Sequence, residues 1–270
     1  MGHPCTMTDH GLDLGADFAS EPGTAFVVGG SGGLGAEICR ALAARGSAVA
    51  FSYRHNEDAA QVLAAEIADL GQPSWTVGFD LTDHRAIAGT IDAVAEAADG
   101  IHTVVYAAGP HVPQRHLSKV SPGAMQDQLH SDAAGFFAVA SVAIPHLRLS
   151  EGSITAITSA AVRRHAVRDG LSTVPKAAVE ATVRAIAVEE GRYGVRANSV
   201  GPGMLSDGMA ERLIAAGDLD EAALEAARSN TPMGKFGTSG DIAEAVCFLA
   251  SRRARFITGQ HVDVDGGFTV

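Results

Sequence analysis

Seven short apolar runs, separated by stretches of helical period, set the main constraint on this chain. The runs are 24–29 (TAFVVG), 47–53, 73–79, 101–107, 152–158, 194–200 and 260–264. Helical patterns fall between them at about 34–45, 56–70, 83–99, 121–148, 172–191 and 239–251. The runs are nearly continuous rather than alternating in polarity, so both faces of the sheet are expected to be covered. Strand and helix in alternation then predict one doubly wound parallel sheet with right-handed crossovers, an α/β Rossmann-type domain.

Its 270 residues suit one such domain with an ample core. No internal repeat or Pro/Gly/Ser-rich linker divides it. Residues 1–22 read as a flexible leader and 23–270 as the domain. Residues 203–237 break the rhythm with a Gly-Pro-Gly turn, the stretch AERLIAAGDLDEAALEAAR and then TPMGKFG, which reads as a helical lid insertion. Its Met204, Leu205, Met209, Leu213, Ile214, Met233 and Phe236 fit an apolar small-molecule substrate without specifying one. The net charge of −11 is spread along the chain and argues against a nucleic-acid partner. Cys5, Cys39 and Cys247 lack metal-ligand spacing, so reduced thiols, a cytoplasmic setting and no metal are expected. No run reads as long enough to span a bilayer, and the N-terminal segment lacks the basic and apolar regions of a secretory signal.

The chemistry begins after the first run. Gly29-Gly30-Ser31-Gly32-Gly33-Leu34-Gly35 leads straight into the helical AEICRALAARG. A strand, a glycine-rich bend and a helix start make an anion site, because free backbone amides and the positive end of the helix dipole converge there. The second strand ends at Tyr53-Arg54, with no acidic residue to accept from a ribose 2′-hydroxyl. An arginine at that point suits a 2′-phosphate, so NADP(H) is favoured over NAD(H).

The spacing Gly29-x-x-x-Gly33-x-Gly35 is similar to that of the short-chain dehydrogenases/reductases, and further pieces follow in order. Asp80-Leu81-Thr82 resembles the family's adenine-contacting segment, and Ala107-Ala108-Gly109 its Asn-Asn-Ala-Gly. Ser159 falls at the substrate-orienting serine, Lys176 at the lysine of Tyr-x-x-x-Lys, and Pro202-Gly203 at the Pro-Gly after the sixth strand. The resemblance covers about residues 24–268. It implies a nicotinamide cofactor held by Gly29, Ser31, Gly32, Gly33, Leu34, Gly35, Arg54, Asp80, Leu81, Ala107, Ala108, Gly109, Lys176, Pro202 and Gly203. It also implies hydride exchange with an alcohol or carbonyl, and homodimers or homotetramers built on the helices at 121–148 and 172–191.

Departures sit at the reacting centre. Ser172 falls at the family's catalytic tyrosine, Asp132 at its relay asparagine, Tyr106 at the first Asn of Asn-Asn-Ala-Gly, and Val28 at the usual threonine. A serine hydroxyl is a far weaker acid than a phenol of pKa about 10, and it is shorter by a ring. Histidines are available as substitutes at 111, 116 and above all His165, and Asp132 is placed to neutralise Lys176. The expected catalytic set is therefore Ser159, Ser172, Lys176, Asp132 and His165. The expected function is a ketoreductase with an altered proton donor, acting on a small or polyketide-like carbonyl. The alternatives are a non-redox enzyme on the same scaffold (dehydratase, cyclase or isomerase) and an inactive NADP(H)-binding subunit.

Overall fold

The structure, a computed structural model, describes residues 15–109, 112–207 and 221–270. Its core is one seven-stranded parallel sheet in the order β3-β2-β1-β4-β5-β6-β7. The strands are β1 (Thr24–Val28), β2 (Ala48–Tyr53), β3 (Ser74–Gly78), β4 (Ile101–Tyr106), β5 (Ser153–Ile157), β6 (Arg196–Pro202) and β7 (His261–Val264). Every residue of β1, β4 and β5 is buried, which is why their sequences run apolar without alternation.

Helices cover both faces. On one side α1 (Gly33–Ala44), α2 (Glu57–Asp69) and α8 (Ser239–Ala250) bury Ile38, Leu42, Leu63, Ile67, Ile242 and Val246 against β1 and β2. On the other, α3 (His84–Ala97), α5 (Gly135–Ser150) and α6 (Gly170–Glu190) bury Ile87, Ile91, Phe136, Val139 and Val183 against β4 and β5. Their starts are marked by local chemistry. Asn56 accepts from the Ala59 amide, Asp83 from those of Arg85 and Ala86, and Thr238 forms a reciprocal capping box with Asp241. The far end of α8 is held by Arg196, whose guanidinium donates to the carbonyls of Leu249, Ala250, Ser251 and Ala254.

Three expectations need correction. The helix expected at 121–148 is α4 (Pro122–Gln128) running through a π-type turn at Leu129–Ala134 into α5. Together they form 29 residues long and apolar enough to cross a membrane, contrary to the sequence reading, yet Phe136, Val139, Ala140, Ala143 and Leu147 are packed in the body. Of the leader assigned to 1–22, residues 1–14 lie outside the described residues, and in the described part Phe18 is 2% exposed and stacks on His102 while Glu21 pairs with Arg252. An aromatic side chain with a ready apolar niche outweighs the polar composition around it.

Only part of the expected lid lies within the described residues. Its stem is closed: the Ser206 amide donates to the Gly237 carbonyl and the Gly237 amide to that of Met204. Asp207 accepts from the backbone and hydroxyl of Ser239 at the start of α8. On the return stands α7 (Glu221–Ser229). Met209, Leu213 and Ile214 lie outside the described residues.

Candidate active site

The order of the sheet reverses between β1 and β4, and a cleft opens at that switch point beyond the strands' carboxyl ends. It encloses about 330 Å³ and is lined by Gly32, Gly33, Leu34 and Gly35 on one wall and by Ala107, Ala108 and Gly109 on the other, with Ser159, Ser172, Lys176, Pro202 and Gly203 at its inner end. A second hollow of about 590 Å³ continues outward under α7 and shares Ser159, Pro202, Gly203 and Met204 with the first.

The glycine wall is built by close approach. Gly29 has φ of +79°, and a Cβ there would stand 2.8 Å from the Ala108 Cα. A Cβ on Gly35 would collide with the Gly29 carbonyl, so α1 rests directly on the bend. Ser52 fixes the bend by accepting from the Gly29 amide at 2.8 Å. The N-cap of α1 is Gly32, which supplies no side-chain acceptor, and the first turn holds no acidic residue. The opening amides of α1 therefore face the cleft without an internal partner, which fits the diphosphate of a dinucleotide.

Farther along, Arg54 is exposed and makes no ion pair among the described residues. It lies near enough to Asp80 to lower that carboxyl, after the larger effect of the Thr82 amide and hydroxyl, both 2.8 Å from Asp80 Oδ1. Leu81 packs against Gly135 at the start of α5. Arg54 and Asp80 thus stand together, while Ser31 is half-buried in the bend.

At the inner end Lys176 is 9% exposed. Its Nζ lies 3.0 Å from Asp132 Oδ1 and donates to the Ala108 carbonyl at 3.3 Å. Asp132 is itself buried, on the π-type turn. Tyr106 completes the cluster. Its hydroxyl donates to the Asp132 backbone carbonyl at 3.0 Å, its ring meets Phe136 edge-on, and Lys176 Nζ stands 5.6 Å from its centroid. Burial, then the charge of Asp132, holds the Tyr106 phenol well above the usual range. That makes it a structural donor, not a source of protons.

Ser159 leaves β5 with its Oγ accepting from the Ala161 amide at 3.2 Å. Ser172 is half-buried in the first turn of α6 and lines the inner cleft. The helix starts at Gly170, two residues earlier than the sequence pattern placed it. His165 is exposed on the wall of the outer hollow. His116 is exposed and lines neither space, and His111 lies outside the described residues. Sequence reasoning passed over Asp169 and Gln114, which also line the outer hollow, with Gln114 Nε2 donating to Asp169 Oδ1 at 3.2 Å. The turn-forming Arg168-Asp169-Gly170 was the available sign.

A glycine-cradled cleft at the switch point of a seven-stranded parallel sheet, with a buried lysine at its end, defines a dinucleotide-binding oxidoreductase fold. The family profile described as enoyl-(acyl carrier protein) reductase matches residues 29–269, and the chain belongs to the short-chain dehydrogenases/reductases. Versicolorin reductase of Emericella nidulans is 32% identical, over 90% of this chain and 94% of the relative. Trihydroxynaphthalene reductase of Pestalotiopsis fici is 30% identical, over 94% and 92% respectively. Among solved structures, a short-chain dehydrogenase/reductase of Serratia marcescens superposes with a TM-score of 0.84 at 26% identity, covering 93% of this chain and all of that one. A blue fluorescent protein from a metagenomic library, in complex with NADPH, superposes at 0.83 with 25% identity, covering 94% and 100%.

Proposed function

We propose that this chain is an NADP(H)-dependent reductase of a carbonyl on a small or polyketide-like, largely apolar substrate, and that its proton donor is not a tyrosine. The observation that carries the reading is the uncapped start of α1 opening onto the same cleft as Lys176 and Ser159. When bound there, a reduced nicotinamide supplies the hydride. The opening amides of α1 grip its diphosphate, Lys176 fixes the inner end, and Ser159 orients the carbonyl. Arg54, exposed and outside any ion pair among the described residues, favours a 2′-phosphate. Two relatives are by name reductases of versicolorin and of trihydroxynaphthalene, the latter a fused aromatic, and one structural neighbour holds NADPH. Both agree with the outer hollow, whose lining is mostly apolar around Met204, Ala226, Ala227 and Phe268.

A second reading has one observation in its favour: Asp132 neutralises Lys176, and Ser172 cannot use that lysine as a phenol would. On it, the protein is a non-redox enzyme of the same scaffold or an NADP(H)-binding subunit.

Fluorescence titration with NADPH and NADH, followed by absorbance with a panel of ketones, separates the two. The reductase reading expects NADPH binding with turnover, and binding without turnover on any ketone selects the second. In Arg54→Ser the affinity for NADPH should fall about 10-fold or more, as charge-assisted hydrogen bonds are worth about 1.5–3 kcal/mol, while NADH binding stays as it was. Equal loss for both nucleotides would remove the case for NADP(H).

A further inference from the structure

We propose that Asp169 is the proton donor of this site, taking the place of the phenol that Ser172 lacks; this rests on the carbonyl-reductase reading above. Three facts of placement carry it. First, Asp169 stands on the wall of the outer hollow that Ser159 also lines, on the substrate side of the site. Second, it occupies the cap position of α6, yet its side chain caps nothing and instead reaches across to Gln114 on the loop after β4. Third, only Oδ1 is engaged, and Oδ2 makes no hydrogen bond among the described residues.

Among the other titratable groups facing the same hollow, His165 alone is an acid near neutrality, and it stands exposed to solvent. Arg164 is committed to the Phe268 carbonyl and ring. Arg168 is a guanidinium and does not release a proton near neutrality. Its φ of +72° and its carbonyl, which accepts from the Arg115 amide, lock the turn that presents Asp169. His165 is exposed on the same loop. Ser172 and Ser159 are aliphatic hydroxyls, and none of the three tyrosines lines either space.

Burial holds the Asp169 carboxyl above its ordinary range, against the opposing pull of the Gln114 amide and then of the His165 charge. A carboxyl that burial holds protonated to higher pH than a free aspartate has a proton to donate over a wider range. In the reduction the carbonyl carbon gains the hydride and the C=O π pair becomes a lone pair on oxygen. That oxygen takes the Oδ2 proton of Asp169, and solvent at the mouth restores the acid.

The test uses the full chain with NADPH and phenanthrenequinone. Wild-type kcat/KM should fall as pH rises through the raised Asp169 value. Asp169→Asn should lose about 100-fold, at the lower end of general-acid effects, and lose that alkaline limb, with NADPH affinity by fluorescence unchanged. Asp169→Glu should recover part of the rate together with the limb. Gln114→Ala removes a hydrogen bond that favours the carboxylate, so it should move the limb to higher pH. Infrared spectra of the nucleotide-free protein give an independent readout. The difference spectrum of wild type minus Asp169→Asn should show a protonated-carboxyl band at pH values above the ordinary aspartate value of about 3.9. Unchanged rate and limb in Asp169→Asn, or no such band, overturns the assignment while the reductase reading stands. Failure of the wild type to bind NADPH overturns both.

Discussion

Ser172 is the residue on which the chemistry of the site turns. It is half-buried, lines the inner cleft beside Lys176, and leaves room where a ring would stand. Ser172→Tyr puts a phenol there, but Lys176 is already bonded to Asp132, so its ammonium is poorly placed to lower the new phenol. The single substitution should therefore raise phenanthrenequinone reduction mainly at alkaline pH, where Asp169 has lost its proton. Adding Asp132→Asn frees the ammonium, and the pair should gain about 100-fold over the wild type there. Rate measured against pH for both variants checks this, and a pair no faster than wild type at any pH would refute it. Residue identity was readable from sequence here because Ser172 is counted back from Lys176. The direction of a side chain was not. Asp169 sits where a helix cap belongs, and no pattern says that its carboxyl turns to Gln114 instead.

Elements were legible to the degree that burial decided them. β1, β4 and β5 are buried along their whole length, and hydrophobic runs announce that. The π-type turn at Leu129–Ala134 left no such mark, since a shift in backbone hydrogen bonding changes no residue's polarity. Yet that turn carries Asp132 and joins α5 to α6 through Lys176. Both charges are buried, so their worth lies in being together. Lys176→Met leaves the Asp132 carboxylate unpaired in the interior and should cost about 3–5 kcal/mol in urea unfolding. Lys176→Met with Asp132→Leu removes both charges and should recover most of that loss, although the site loses its lysine. If the double variant is no more stable than the single one, the pair is not what joins these elements.

At the scale of the whole molecule, the long helix through α4 and α5 poses a question of solvent. One third of its most apolar window is buried in the body, and its outer side leaves Phe137 61% and Leu149 87% exposed. The adjoining α6 exposes Val188 to 84% and Val174 to 42%. A lone molecule in water would carry this apolar face at a cost. A bilayer is a poor remedy, because withdrawing the helix would strip Phe136, Val139 and Leu147 from the core beneath β4. A second copy would cover the same surface without disturbing that core, through a two-fold contact along α5 and α6 that at standard size buries about 1,200–2,000 Å². Light scattering should accordingly find a homodimer or a homotetramer. Phe137→Asp combined with Val188→Asp places like charges on both sides of the two-fold and should give monomers whose sheet still folds, seen as an unchanged far-ultraviolet spectrum. A wild-type chain that scatters as one copy at micromolar concentration would mean that this face is covered by something other than itself.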